Sequence, residues 1–132
     1  MNRKLLVVAC VLGVTSVIFG AFGAHALKAL IAVDVQQTFE TGVRYQMYHA
    51  LLLLFLGNDR VYFSVKTKKI VLYLVVIGLL FFSGSIYGLA TNALTAFNFK
   101  SIAFITPVGG FLLIFSWILL IINLLKKGAK ND

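Results

Sequence analysis

"ETGVRYQMYHALLLLFLG" fills residues 40–57, and its two halves do not match. Six large apolar residues of the kind that fill hydrocarbon, Leu51 to Leu56, run up to its closing glycine. A glutamate, an arginine, a glutamine, a histidine and two tyrosines open it. In water the polar half would be ordinary and the greasy half would be the part to bury. The rest of the chain reverses that judgement. Of 132 residues, 61% are hydrophobic and 12% charged, against about 25% charged in a soluble domain. A chain this short cannot enclose so many apolar side chains in a core of its own. They also come in long runs instead of period-2 or period-3.6 stripes, as in membrane proteins. The polar residues of 40–50 are therefore the ones that need explaining.

Spanning a bilayer as a helix takes about 20 predominantly apolar residues. Four segments qualify, at about residues 5–27, 35–57, 70–91 and 102–125. The expected fold is an all-α integral membrane bundle of four transmembrane helices, one domain over residues 1–132, with short polar links. The net charge of +8 does not point to nucleic acid, because the basic residues lie at the ends of the apolar runs and are not interleaved with aromatics. Arg3 and Lys4 precede span 1. Arg60, Lys66, Lys68 and Lys69 lie between spans 2 and 3, and Lys126, Lys127 and Lys130 follow span 4. Lys28, Lys100 and Arg44 are all that remain for the other side. The bias toward positive charge on the cytoplasmic side then predicts that both termini are cytoplasmic.

The first residues, "MNRKLLVVACVLGVTSVIFGAFGAHA", imitate a signal peptide with an A-x-A site at Ala24–Ala26. An apolar stretch of about 20 residues is too long for a typical signal core, and a retained span is expected. Cys10 is the one cysteine, so no intrachain disulfide is available. It reads as a small apolar filler.

Asp34 with Gln37 three residues on suggests a capping box, with span 2 starting near Val35. Span 4 has two readings. Thr106 caps the helix with Pro107 at its first position, after an irregular approach over residues 98–105. Alternatively Ser101 caps a longer helix that kinks at Pro107, and this second reading is preferred. Small residues recur at helical spacing: Ser16, Gly20 and Ala24 on span 1, Gly84 and Gly88 on span 3, Gly109 and Gly110 at the start of span 4. Such faces let helices approach backbone to backbone in lipid. Packing inside the bundle is the ordinary reading, and self-association the sharper one.

Polar groups inside a membrane usually face protein or water. Counting ~1.5 Å per residue from the cytoplasmic ends places His25, Glu40 and Tyr87 at one level in the outer half. Arg44, Tyr45 and Ser83 fall at a second level, and His49 sits deeper, near Gly78 and Trp117. Glu40 and Arg44 are four apart and are expected to pair. Thr41, Tyr45 and His49 form the next stripe, with Gly42 and Gln46 beyond it, and this Tyr45–His49 face is expected to point into the bundle. His25 and His49 differ in height by ~18 Å on the same count, too far to share a haem. No acid or cysteine cluster supplies a metal cage. No nucleophile–base pair assembles beyond a chance meeting of Ser83 or Ser85 with a histidine. No cofactor and no enzymatic activity are expected.

Four motifs occur in order: "GAFGAHAL" (20–27), "TGVRYQMYHAL" (41–51), "LFFSGSIYGLA" (80–90) and "ITPVGG" (105–110) followed by Trp117. Together they resemble the YgdD-like family of small multi-pass membrane proteins, catalogued as domain of unknown function 423. The resemblance implies a multi-pass protein of the bacterial inner membrane with no established biochemical role. It covers nearly the whole chain. The matching positions are His25, Thr41, Gly42, Tyr45, Gln46, His49, Ser83, Gly84, Ser85, Tyr87, Thr106, Pro107, Gly109 and Gly110. The family pattern requires neither Glu40 nor Arg44, so that charged pair reads as a local variation. The expected function is a scaffold or accessory subunit, packing against itself or a larger membrane complex. The competing expectation is a small oligomeric transporter of protons or a polar solute that uses Tyr45 and His49.

Overall fold

The computed structural model describes residues 1–91 and 104–131, the side chains of 128–131 excepted. It contains four helices: α1 (Asn2–Ala24), α2 (Val33–Asn58), α3 (Val65–Ala90) and α4 (Ile105–Asn131). A short 3-10 turn, Leu27–Ala29, links α1 to α2. Among the described residues there are no strands. Three helical segments are long and apolar enough to cross a membrane: Asn2–Ala29, Val65–Ala90 and Ile105–Lys127. At 26 residues α2 is just as long. Its polar run from Asp34 to His49 dilutes its apolar character.

Each helix runs antiparallel to the one before it. Gly23 near the end of α1 meets Phe39 near the start of α2, and Gly57 at the end of α2 meets Leu6. Gly42 faces Ile86 and Tyr87, and Gly78 faces Leu113. Each helix packs on its predecessor, and α3 is the most enclosed, while α1 and α4 turn most of their apolar surface outward. Side chains such as Val7, Val17, Phe55, Leu80, Phe111 and Leu125 stand exposed, as they do on a surface solvated by hydrocarbon. The main core gathers Leu5, Leu53, Leu56, Val71, Val75, Leu79 and Leu113. A smaller one at the opposite end holds Leu27, Phe39 and Ala90.

Helix ends differ from the sequence reading in three places. α2 begins at Val33 with Ala32 at the cap and no side-chain cap bond. Asp34 therefore lies inside the first turn, where its charge complements the helix dipole, and the capping box with Gln37 does not form. α3 starts earlier than expected, because Ser64 caps it by accepting from the Thr67 N–H at 3.1 Å. α4 starts at Ile105, so Thr106 is not its cap and Pro107 sits in the first turn. A proline there lacks only an N–H that would have no helical partner, so Pro107 does not kink an established helix. Ser101, Lys100 and the approach over residues 98–103 lie outside the described residues.

The closest helix approach falls at Gly109, one of the small residues singled out in the sequence. A Cβ at Gly109 would lie 2.3 Å from the Phe82 backbone nitrogen and 2.7 Å from the Gly78 carbonyl oxygen. α3 and α4 touch main chain to main chain there, and only glycine fits. A Cβ at Gly20 would meet only Val43 Cγ1 at 3.4 Å, and one at Gly110 the Phe82 ring at 3.6 Å. A Cβ at Gly84 would meet only the Leu79 carbonyl oxygen at 3.9 Å, an ordinary contact, and Ala24 is exposed. Gly88 borders a cleft of about 230 Å³ with Phe19, Phe22, Phe39, Tyr87 and Thr91. Gly109→Ala should therefore cost about 1–3 kcal/mol of stability, read as a lowered unfolding midpoint in detergent. Gly84→Ala should stay within about 0.5 kcal/mol of the parent. Equal effects of the two would contradict this packing.

Candidate functional site: a polar layer between the helices

The buried face of α2 runs Phe39, Gly42, Gln46, His49, Leu53, Leu56. These positions recur at three and four residues, the spacing of one helix face. Gln46 is its hub, only 5% exposed. Its Nε2 donates to the Leu12 carbonyl at 2.9 Å and to Thr15 Oγ1 at 2.7 Å. Its Oε1 accepts from the Tyr87 hydroxyl at 2.6 Å. One amide thus ties α1, α2 and α3 together, with both donors and the carbonyl in use. Phe19 and Phe39 pack against the Tyr87 ring at 5.0 Å each.

Two serines flank the hub. Ser16 Oγ on α1 donates to the Val43 carbonyl at 2.9 Å, and Ser83 Oγ on α3 donates to the Gly42 carbonyl at 2.8 Å. Consecutive carbonyls of α2 are thus held from two sides. Ser85 turns toward α4. It donates back to the Phe81 and Phe82 carbonyls of its own helix, which uses its single hydroxyl hydrogen. The 2.5 Å contact with Thr106 Oγ1 is then donated by Thr106.

His49 joins α2 to α4. Trp117 Nε1, a donor only, gives its hydrogen to His49 Nε2 at 3.1 Å. Nδ1 lies 2.7 Å from the Tyr45 carbonyl and must carry the ring proton. His49 is therefore the neutral Nδ1–H tautomer, with both nitrogens engaged. The meeting with Trp117 follows the depth count from the sequence.

The neighbouring stripe behaves differently. Tyr45 is 41% exposed and lies against Phe82 and Tyr48. The inward face is centred one residue further on, at Gln46, because each residue turns the helix by ~100°. The expected Glu40–Arg44 pair does not form. Arg44 is exposed and donates to Thr41 Oγ1 at 3.3 Å. Among the described residues the one ion pair is Asp59–Lys68. His25 is exposed at the C-cap of α1 and takes no part in the layer. Among the described residues no group of three or more His, Cys, Asp or Glu side chains is placed to hold a metal.

A second polar cluster closes the end of the bundle that carries Met1. The Asp59 carboxylate accepts from the backbone N–H groups of Val61, Tyr62 and Phe63 at 3.0–3.3 Å. Lys68 Nζ lies 3.4 Å from Asp59 Oδ2, with both side chains 4% exposed. The same ammonium donates to the Asp59 carbonyl at 2.5 Å and to Asn2 Oδ1 at 3.2 Å. The start of α1, the α2–α3 loop and the start of α3 are fixed together. Nearby, Thr67 Oγ1 donates to Asn123 Oδ1 on α4 at 2.8 Å. Sequence reasoning counted Lys68 only as a topology charge. An aspartate just past a helix end, ahead of a short loop, was the available signal for the loop bonds.

With the geometry in place, the relatives become informative. The chain matches the family described as Protein of unknown function (DUF423) over residues 19–110. A UPF0382 membrane protein of Staphylococcus aureus is 39% identical over 107 residues, 81% of this chain and 83% of its own. The UPF0382 inner membrane protein YgdD of Escherichia coli is 33% identical over 137 aligned positions, 99% of this chain and 98% of its own. A Haemophilus influenzae relative is 33% identical over 118. This chain belongs to the DUF423 family. It is a membrane protein, with three helical segments among the described residues long and apolar enough to span. No solved structure matches it. The DUF423 match ends at Gly110, so it takes in Gln46, His49, Ser83, Ser85, Tyr87 and Thr106 but not Trp117, the partner of His49.

Two outcomes follow. Trp117 is the one tryptophan, so His49→Ala should free its ring and lower its fluorescence anisotropy, while Tyr45→Phe should leave it unchanged. Asp59 titrates in a defined direction. Burial alone would raise its carboxyl, but the Tyr62, Phe63 and Val61 N–H groups and the Lys68 ammonium outweigh burial, and the net shift is down from 3.8. A lowered folded pKa adds stability above the ordinary value, and that stability is lost as pH falls through the folded value. Acid unfolding of the parent should therefore steepen below about pH 4, and Asp59→Asn should flatten that dependence.

Proposed function

We propose that this DUF423 protein is a non-enzymatic scaffold or accessory subunit of the inner membrane. In this reading all four helices span and both termini are cytoplasmic. The supporting observation is the state of the polar layer: among the described residues no buried side-chain nitrogen or oxygen lacks a hydrogen-bond partner. Those partners lie within the chain and join one helix to the next or brace a helix on itself. A site poised for chemistry or transport keeps polar groups free for its substrate. Here Gln46, Tyr87, Ser16, Ser83 and Thr106 are spent on holding helices in register. A transporter built on Tyr45 and His49 draws little support, since Tyr45 faces outward and both His49 nitrogens are engaged.

The orientation rests on where the charges gather. Arg3, Lys4, Arg60, Lys66, Lys69, Lys126 and Lys127 all fall at the end closed by Asp59 and Lys68, the end expected to face the cytoplasm. Gentle extraction from the native membrane, followed by native mass spectrometry, tests the role. Stoichiometric foreign subunits, or a defined homo-oligomer, are the expected result. A bare monomer that moves protons or solutes in proteoliposomes, with flux lost in His49→Ala, would overturn it.

A further inference from the structure

Beyond the His49–Trp117 bond, toward the basic end, α2 and α4 are not packed directly along their length. The gap is an apolar groove of about 510 Å³, within the size range of ligand clefts, roughly 300–1,000 Å³. Tyr48 and Phe55 of α2, Trp117, Leu120 and Leu124 of α4, and Phe63 of the α2–α3 loop line it. Tyr48, Phe55, Trp117 and Leu124 are exposed, so the groove opens sideways toward lipid. Its upper wall is fixed, because the Trp117 indole is bonded to His49. Its lower end is fixed as well. The Asp59 carboxylate holds the N–H groups of Tyr62 and Phe63, and Phe63 packs edge-on to Phe55 at 6.4 Å.

Hydrocarbon alone does not choose an occupant here, since lipid tails are as apolar as the groove's leucines. The choice falls to the mouth. Lys127 Nζ stands 5.9 Å from the centre of the Tyr62 ring, which brings the end of α4 to the α2–α3 loop. Arg60 is exposed on that loop and Lys126 is exposed beside Lys127. Asp59 is the one described acid at this end, and its carboxylate is already taken up by three N–H groups and Lys68. A positive rim on an acyl-sized apolar slot fits one class of molecule. We propose that the α2–α4 groove binds one acyl chain of an anionic phospholipid, with the lipid phosphate among Arg60, Lys126 and Lys127. The inference needs the chain to lie in a membrane, but it does not depend on a scaffold role.

Trp117 reports on the groove directly. The full chain is reconstituted in phosphatidylcholine vesicles doped with phosphatidylglycerol or phosphatidylcholine, each brominated on its acyl chains. Three basic groups near the phosphate should let brominated phosphatidylglycerol quench Trp117 at a mole fraction lower by at least about tenfold than brominated phosphatidylcholine. Arg60→Gln with Lys127→Gln should bring the two titrations together. Leu124→Phe, which narrows the slot without touching a charge, should remove most of the selective quenching. Circular dichroism and gel filtration verify that each variant is folded. Identical titrations of the two lipids in the parent would overturn the proposal, and so would selectivity that survives both changes. Trp117 shielded from both lipids would also overturn it, by showing that a second protein chain fills the groove. Each result reads lipid selectivity, separately from the subunit composition that tests the scaffold role.

Discussion

A single buried amide sets the register of three helices. In hydrocarbon a polar side chain must find its partners within the protein, and Gln46 finds three: a backbone carbonyl, a threonine hydroxyl and a tyrosine hydroxyl. Rotating α2 by one residue, or sliding it by a turn, would leave both N–H groups and the carbonyl facing lipid. Apolar packing cannot impose that constraint, because a leucine is as comfortable against a lipid tail as against another leucine. The serines on either side extend the same logic. Ser16 and Ser83 hold neighbouring carbonyls of α2 from opposite directions, so α2 is fixed between α1 and α3 before any side-chain packing is considered.

The fourth helix is attached by different means. It meets α3 where Gly109 lies against the Phe82 and Gly78 backbone. It is joined to α3 again by Thr106 with Ser85 and by Asn123 with Thr67, and to α2 by Trp117 with His49. Between α2 and α4 the wall is thinner, and the apolar groove lies there. At the basic end, a buried ion pair closes the bundle. Replacing such pairs by apolar residues is often harmless elsewhere. This pair also orders a loop, because the Asp59 carboxylate is the acceptor for three consecutive N–H groups.

Much of this was legible in the sequence. Apolar runs and clustered lysines gave the helices and the shared basic end, and counting depth along α2 put His49 near the level of Gly78 and Trp117, without saying which helix it faces. The family was readable from four ordered motifs. The facing of α2 was not. Tyr45 and Gln46 are adjacent, a ~100° turn apart, and both are plausible inward residues. Only the presence of Thr15 and Tyr87 on the facing helices decides for Gln46. Glycine spacing misled for a similar reason. Gly84 and Gly88 form the familiar four-residue step, but the tight seam uses Gly78 and Gly109, which are far apart in sequence. The Glu40–Arg44 pair was drawn from helix spacing alone, and spacing does not include Thr41, which takes the Arg44 guanidinium instead.

The central claim is that the polar layer exists to hold helices together. A double-mutant cycle between Gln46→Leu and Tyr87→Phe, measured by reversible unfolding in lipid bicelles, tests it most directly. A favourable coupling between about 0.5 and 1.7 kcal/mol is predicted, the range of interhelical hydrogen bonds in membranes. Strictly additive effects, with each variant as stable as the parent, would show that the amide is not what fixes the bundle.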